Sequence, residues 1–82
     1  MDQSSPALPE TFSTGEVSRL SRPIAELALR RWLMARGASA SDVNAETLGR
    51  LREMINDAAT PGRQHFPGGI LVSRRRGMIS AP

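Results

Sequence analysis

The stretch "HFPGGILVSRRRGMIS", residues 65–80, decides the fold class. Pro67 followed by Gly68 suits a type II turn, in which proline presets one central residue and glycine supplies the positive φ of the next. After the turn, Ile70, Val72 and Arg74 alternate with Leu71, Ser73 and Arg75. A period of two is the mark of a strand with two unlike faces. Gly77 offers a second turn before "MIS". These sixteen positions therefore predict an antiparallel meander, and the chain before them decides what packs on it.

Working back from the meander, "TPG" at residues 60–62 breaks any helix that precedes it. Asn44 is placed to cap such a helix, with Val43 and Leu48 as a hydrophobic staple. Leu48, Leu51, Met54, Ile55 and Ala58 fall on one predicted face, and Arg52, Glu53, Asn56 and Asp57 on the other. Before that, "PIAELALRRWLMARG" is rich in strong helix formers and stops at Gly37. Ser21 is its candidate cap, and Pro23 is tolerated in the first turn. On a wheel, Ile24, Ala28, Trp32 and Ala35 share a side that Leu29 and Leu33 extend. A helix apolar over so wide an arc is expected to be central. Ser13 and Glu16 have capping-box spacing, with Phe12 and Val17 as staple, so a short helix is predicted over 14–20. The expectation is an α+β fold, three helices followed by a short antiparallel meander. It places a flexible lead-in over residues 1–12 and one small domain over 13–80, with Trp32, Leu51, Ile55 and Phe66 in the core.

At 82 residues the chain has room for one domain with a marginal core. It has no cysteine and a single histidine, His65, so disulfides and most zinc sites are excluded. No apolar run is long enough to span a membrane, and "MDQSSPALPE" lacks the basic start and apolar centre of a signal peptide. The expected compartment is the cytoplasm.

All eleven basic residues are arginine, against eight acids, for a net charge of +3. Arginine's planar fork suits bidentate phosphate contacts, although a GC-rich coding bias produces the same usage. Position says more than identity. Residues 19–36 carry five arginines against one acid, and residues 60–82 carry four with none, while the segment between them is net acidic. If the strands pack back on the first long helix, Arg30, Arg31, Arg36, Arg63, Arg74, Arg75 and Arg76 form one phosphate-facing patch. Such a patch neutralises three or four phosphates and binds nucleic acid at roughly 10⁻⁴–10⁻⁶ M at physiological salt. The plainer reading of Arg74–Arg76 is a solvated strand end that blocks edge-to-edge pairing.

Enzyme signatures are missing from the sequence. "PGG" leads into a strand and lacks the spacing of a phosphate loop. His65 has no carboxylate in its own segment and reads as an ordinary strand residue. Glu26, Glu46, Glu53 and Asp57 sit on polar helix faces. Trp32, between arginines, has the makings of a base-stacking platform, but its apolar side favours a core anchor.

The order of these features resembles the tRNA(Ile)-lysidine synthetase family, in the region that follows its catalytic domain. The resemblance rests on "LALRRWLMARG", then "AETLGRLREMI", then "PGRQHFPGGILVSRRRGMI". The hairpin matches a pattern in which Pro67, Gly68, Gly69, Val72, Arg74, Gly77 and Ile79 stand in register, and "STGEVSRLSRPIAEL" resembles the lead-in. It covers about residues 13–80. The resemblance implies a family that uses ATP to attach lysine to the wobble cytidine of an isoleucine tRNA. It implies further that the ATP and lysine sites belong to a PP-loop domain not found in this sequence. By that resemblance the expected function is a non-catalytic tRNA-binding, substrate-selecting module, with tRNA and a catalytic PP-loop domain as partners and no cofactor or metal. Two alternatives stand beside it. One is a protein-interaction module using the apolar surface of residues 24–35. The other is a winged-helix-like DNA binder, disfavoured by the acids on the helix before the hairpin.

Overall fold

Ser13 ends one element and starts another. In the computed structural model, which describes residues 7–81, strand β1 is Phe12–Ser13 and helix α1 is Thr14–Ser18. The Ser13 hydroxyl accepts from the Glu16 N–H at 3.2 Å, and the Glu16 carboxylate accepts from the Ser13 N–H at 3.0 Å. The capping box is therefore complete. The helix is shorter than its predicted 14–20: Arg19 caps it, and Leu20 packs against the core from the following turn.

Helix α2, Arg22–Ala35, begins after Ser21 with proline in its first turn, but the Ser21 side chain makes no capping bond. Its end is closed by the backbone. Gly37 takes φ 124°, its N–H bonds to Met34 O, and the Ala38 N–H bonds to Leu33 O. Those two bonds define a Schellman cap. The buried stripe is Ala25, Ala28, Leu29, Trp32 and Leu33. The predicted wheel is thus rotated: Ala25 replaces Ile24, which is half-buried, and Ala35 is exposed. Helix α3, Ala45–Asn56, is capped by the Asn44 side chain, which accepts from the Thr47 N–H at 3.0 Å. Val43 and Leu48 are both buried, as their staple requires. Ala58, expected on the apolar face, lies past the helix end and is exposed.

Strands β2 (Arg63–Phe66), β3 (Ile70–Arg75) and β4 (Met78–Ser80) follow as the meander. The sheet order is β1-β4-β3-β2, antiparallel throughout. The fourth strand is the main departure from the sequence reading. Phe12, assigned to a flexible lead-in, pairs with Ile79 and is fully buried. Its ring meets Trp32 edge-on at 5.1 Å, and the Trp32 Nε1–H donates to Pro9 O at 2.9 Å. Leu8 packs on the same core. The packed unit therefore takes in residues before Ser13, while residues 1–6 of the lead-in lie outside the described residues.

One cluster of side chains joins helices and sheet, with Leu29, Leu33, Leu51, Met54, Val72 and Ile79 fully buried in it. The breadth of apolar surface on α2 is explained by this burial. Of residues 24–35, only Leu27 and Met34 are exposed large hydrophobics, and the remainder of that surface is taken up internally or small.

Candidate nucleic-acid interface

Strand register sorts the basic residues. On β3, Ile70 and Val72 are buried, which puts Arg74 on the helix side and Leu71, Ser73 and Arg75 on the outer side. Arg63 pairs with Ser73, and Ser73 with Ser80, so these three form a row across the outer face. His65 and Leu71 form a row on one side of it. Arg75, Met78 and Ser13 form a row on the other. Arg63 and Arg75 are exposed, and their side chains make no hydrogen bond or ion pair among the described residues. They stand diagonally across Ser73, at about 7 Å between Cβ atoms for such a pair. A groove of about 390 Å³ is lined by Arg63, Ser73, Arg74, Arg75 and Ser80.

Arg74 touches this groove but its guanidinium is engaged elsewhere. Nη1 donates to the Met54 and Asp57 carbonyls and to Thr60 Oγ1, and Nη2 donates to the Ala58 and Thr60 carbonyls. Five oxygens at and just beyond the C-terminal end of α3 thus surround one cation, where the helix dipole and outward-facing carbonyls favour positive charge. A phosphate would have to displace them. Arg76 is different again. It sits with Gly77 in a two-residue turn between paired Arg75 and Met78, and both turn residues have positive φ, 54° and 76°. That is the signature of a type I′ hairpin, where asparagine and glycine are favoured and arginine is strained.

The arginines of α2 do not join this group. Arg30 donates to Val43 O at 3.4 Å, Arg36 stacks 5.8 Å from the Trp32 ring centre, and Arg31 is exposed on the helix layer. Gly68, at the β2–β3 turn, lies against Gly37 and Ala38, so Arg36 is at that end of the hairpin. Arg75 and Arg76 are at the opposite end, about 17 Å along β3. The single merged patch expected from sequence is therefore divided in two. Trp32 is 2 % exposed and offers no stacking platform.

Ser73 and Ser80 were not singled out from sequence. The alternation along β3 places Ser73 beside Arg75, but only the register places Ser80 next to it. Nor does the sequence mark Arg50. Its Nη2 donates to His65 O at 2.8 Å and its guanidinium lies 4.5 Å from the Phe66 ring, which ties α3 to β2.

Against known families, residues 12–79 match the TilS substrate binding domain. The chain belongs to this family. The match starts at Phe12 and ends at Ile79, one of the two residue pairs that join β1 to β4, so it takes in α1, α2, α3, β1, β2, β3 and all of β4 but Ser80 among the described residues. No curated protein and no solved structure gives a significant match. No helix among the described residues of this TilS domain is long and apolar enough to cross a membrane.

Proposed function

We propose that this TilS domain is a non-catalytic tRNA-binding module that selects substrate for lysidine formation at the wobble cytidine of an isoleucine tRNA. The observation that carries the reading is the outer sheet face. In a substrate-binding domain of this family, it presents Arg63 and Arg75 around two serine hydroxyls. Guanidiniums and hydroxyls hold phosphate and ribose oxygens, which position an RNA without performing chemistry on it. Arg63, Arg75 and Arg76 are the phosphate contacts. Arg74 sets the position of the strand that carries Arg75 and leads into Arg76. Arg30, Arg31 and Arg36 lie on the helix layer, outside this contact. Activation by ATP and transfer of lysine fall to a PP-loop catalytic domain acting as partner, in the cytoplasm.

The test is an NMR titration of the 82-residue chain with an isoleucine tRNA at low and at physiological salt. Salt-sensitive shifts should gather on residues 63, 73, 75, 76 and 80. Three phosphate contacts imply weak binding, roughly 10⁻⁴ M or somewhat tighter at physiological salt. An intact fold with no shifts at low salt would overturn the proposal. Shifts confined to residues 30–36 would move the interface to the helix layer.

A further inference from the structure

The outer face of the sheet also bears on which part of an RNA it meets, an inference that rests on the tRNA-binding reading above. Proteins that hold a run of unstacked bases on a sheet do so chiefly by stacking them on exposed aromatic rings, with arginine planes adding to such a platform. This chain has three Phe and Trp residues and no tyrosine. Phe12, Trp32 and Phe66 are 0 %, 2 % and 4 % exposed, all on the core side. The outer face has His65 as its one ring, paired with Leu71 in the row nearest the β2–β3 turn. The centre of that face, Arg63–Ser73–Ser80 with Arg75 beside it, consists of short hydroxyls between long cations.

Such a surface has donors for phosphate and for the ribose 2′-hydroxyl and no aromatic platform for a run of bases. The shallow minor groove of an A-form helix displays those same groups, and it is read by shape and backbone. The arginines are close enough across Ser73 to take neighbouring phosphates of one strand. Charge on the face is one-sided within its rows, the flanking Glu16 being held at the β1 edge by its bond to the Ser13 N–H. We infer that the outer sheet face of this domain docks on double-helical RNA, that is a stem of its tRNA, through the sugar-phosphate backbone, and that it does not hold the unpaired nucleotides of a loop.

The decisive experiment is fluorescence anisotropy with the 82-residue chain at low salt, against a short labelled RNA duplex, each of its component strands, and an isoleucine tRNA. The duplex should bind about 10-fold tighter than either strand. Its salt dependence should correspond to two or three phosphates and fall by roughly two in an R63A/R75A double variant. An H65A variant, which removes the one ring on the face, should bind the duplex as the parent does. Circular dichroism checks that each variant is folded. Single strands that bind as tightly as the duplex, or an H65A variant weakened several-fold, would overturn duplex docking while leaving tRNA binding in place. Failure to bind the tRNA itself would overturn both.

Discussion

Replacing Arg74 with alanine should unfold this domain far more readily than it should strip it of an RNA contact. The side chain gives five hydrogen bonds to oxygens of Met54, Asp57, Ala58 and Thr60. A charge-assisted bond contributes about 1.5–3 kcal/mol when its partner would be left dry, and less where water can take over. Asp57 and Ala58 are exposed, so their carbonyls regain water when the guanidinium is lost. Met54 is fully buried, and its carbonyl is shielded in the last turn of α3. The bonds also share one cation and do not add. Counting the one well-shielded bond and about 0.3–1 kcal/mol for a cation at the helix C-terminus, the loss comes to about 2–4 kcal/mol. A domain of this size has roughly 4–12 kcal/mol in total. The melting temperature should therefore fall by about 10–25 °C. An R74K variant keeps the charge but concentrates its donors on one atom, and should recover less than half of the loss. R75A, with no partner to lose, should stay within about 0.5 kcal/mol of the parent. Thermal and urea denaturation followed by circular dichroism measure all three. An R74A variant that melts within about 3 °C of the parent would refute the clamp. So would an R74A variant that is fully folded yet loses one phosphate's share of the salt dependence, since Arg74 would then be a ligand contact.

Two further substitutions separate backbone strain from side-chain function. Changing Arg76 to asparagine relieves a left-handed arginine in a type I′ turn, and should add about 0.5–1 kcal/mol of stability by urea titration. The same change should weaken tRNA binding a few-fold, and a variant both more stable and undiminished in binding would remove Arg76 from the interface. At the other hairpin turn, a Cβ on Gly68 would meet the Ala38 Cα and Gly37 O at 3.0 Å, in a residue with φ of +94°. Gly69 has φ of +73° and nothing within 4 Å. G68A should therefore cost about 2–4 kcal/mol and G69A about 1 kcal/mol, and equal costs would show that the approach of the turn to α2 is not tight.

The meander, the three helices and all their caps but the expected Ser21 bond are legible because each rests on local chemistry. The Ser13–Glu16 box, the Asn44 cap, the stop at Gly37 and the two glycine turns involve residues a few positions apart. What was not legible depends on partners far along the chain. Strand β1 is two residues long and has no period to read, so Phe12 shows its role only through its pairing with Ile79. The phase of α2 slipped because Ile24, Ala25, Ala28 and Ala35 are all apolar, and small residues do not mark a face until something packs on it. The division of the arginines is a mixed case. The alternation of β3 already put Arg74 with Ile70 and Val72, away from Arg75, so its inward direction was available from sequence. Its five acceptors were not, because the end of α3 lies some fifteen to twenty residues earlier.

Three consecutive arginines thus do three different things, and the strand geometry makes them do so. Arg74 points to the helices because its neighbours at two-residue spacing are core, and it finds the carbonyl end of α3 there. Arg75 must then face outward, onto the row beside Ser73 and Arg63. Arg76 falls where the chain reverses and takes a conformation that suits it poorly. A solvated strand end that merely resisted edge pairing would have no need of the first and no reason to tolerate the strain of the third, since any charged residue on the outer face serves that purpose. Topology also leaves no edge for the run to guard. β3 is flanked by β2 and β4 and has no open edge to protect. A clamp that fixes the strand, and cations that the fixed strand holds out at its end, together account for the run.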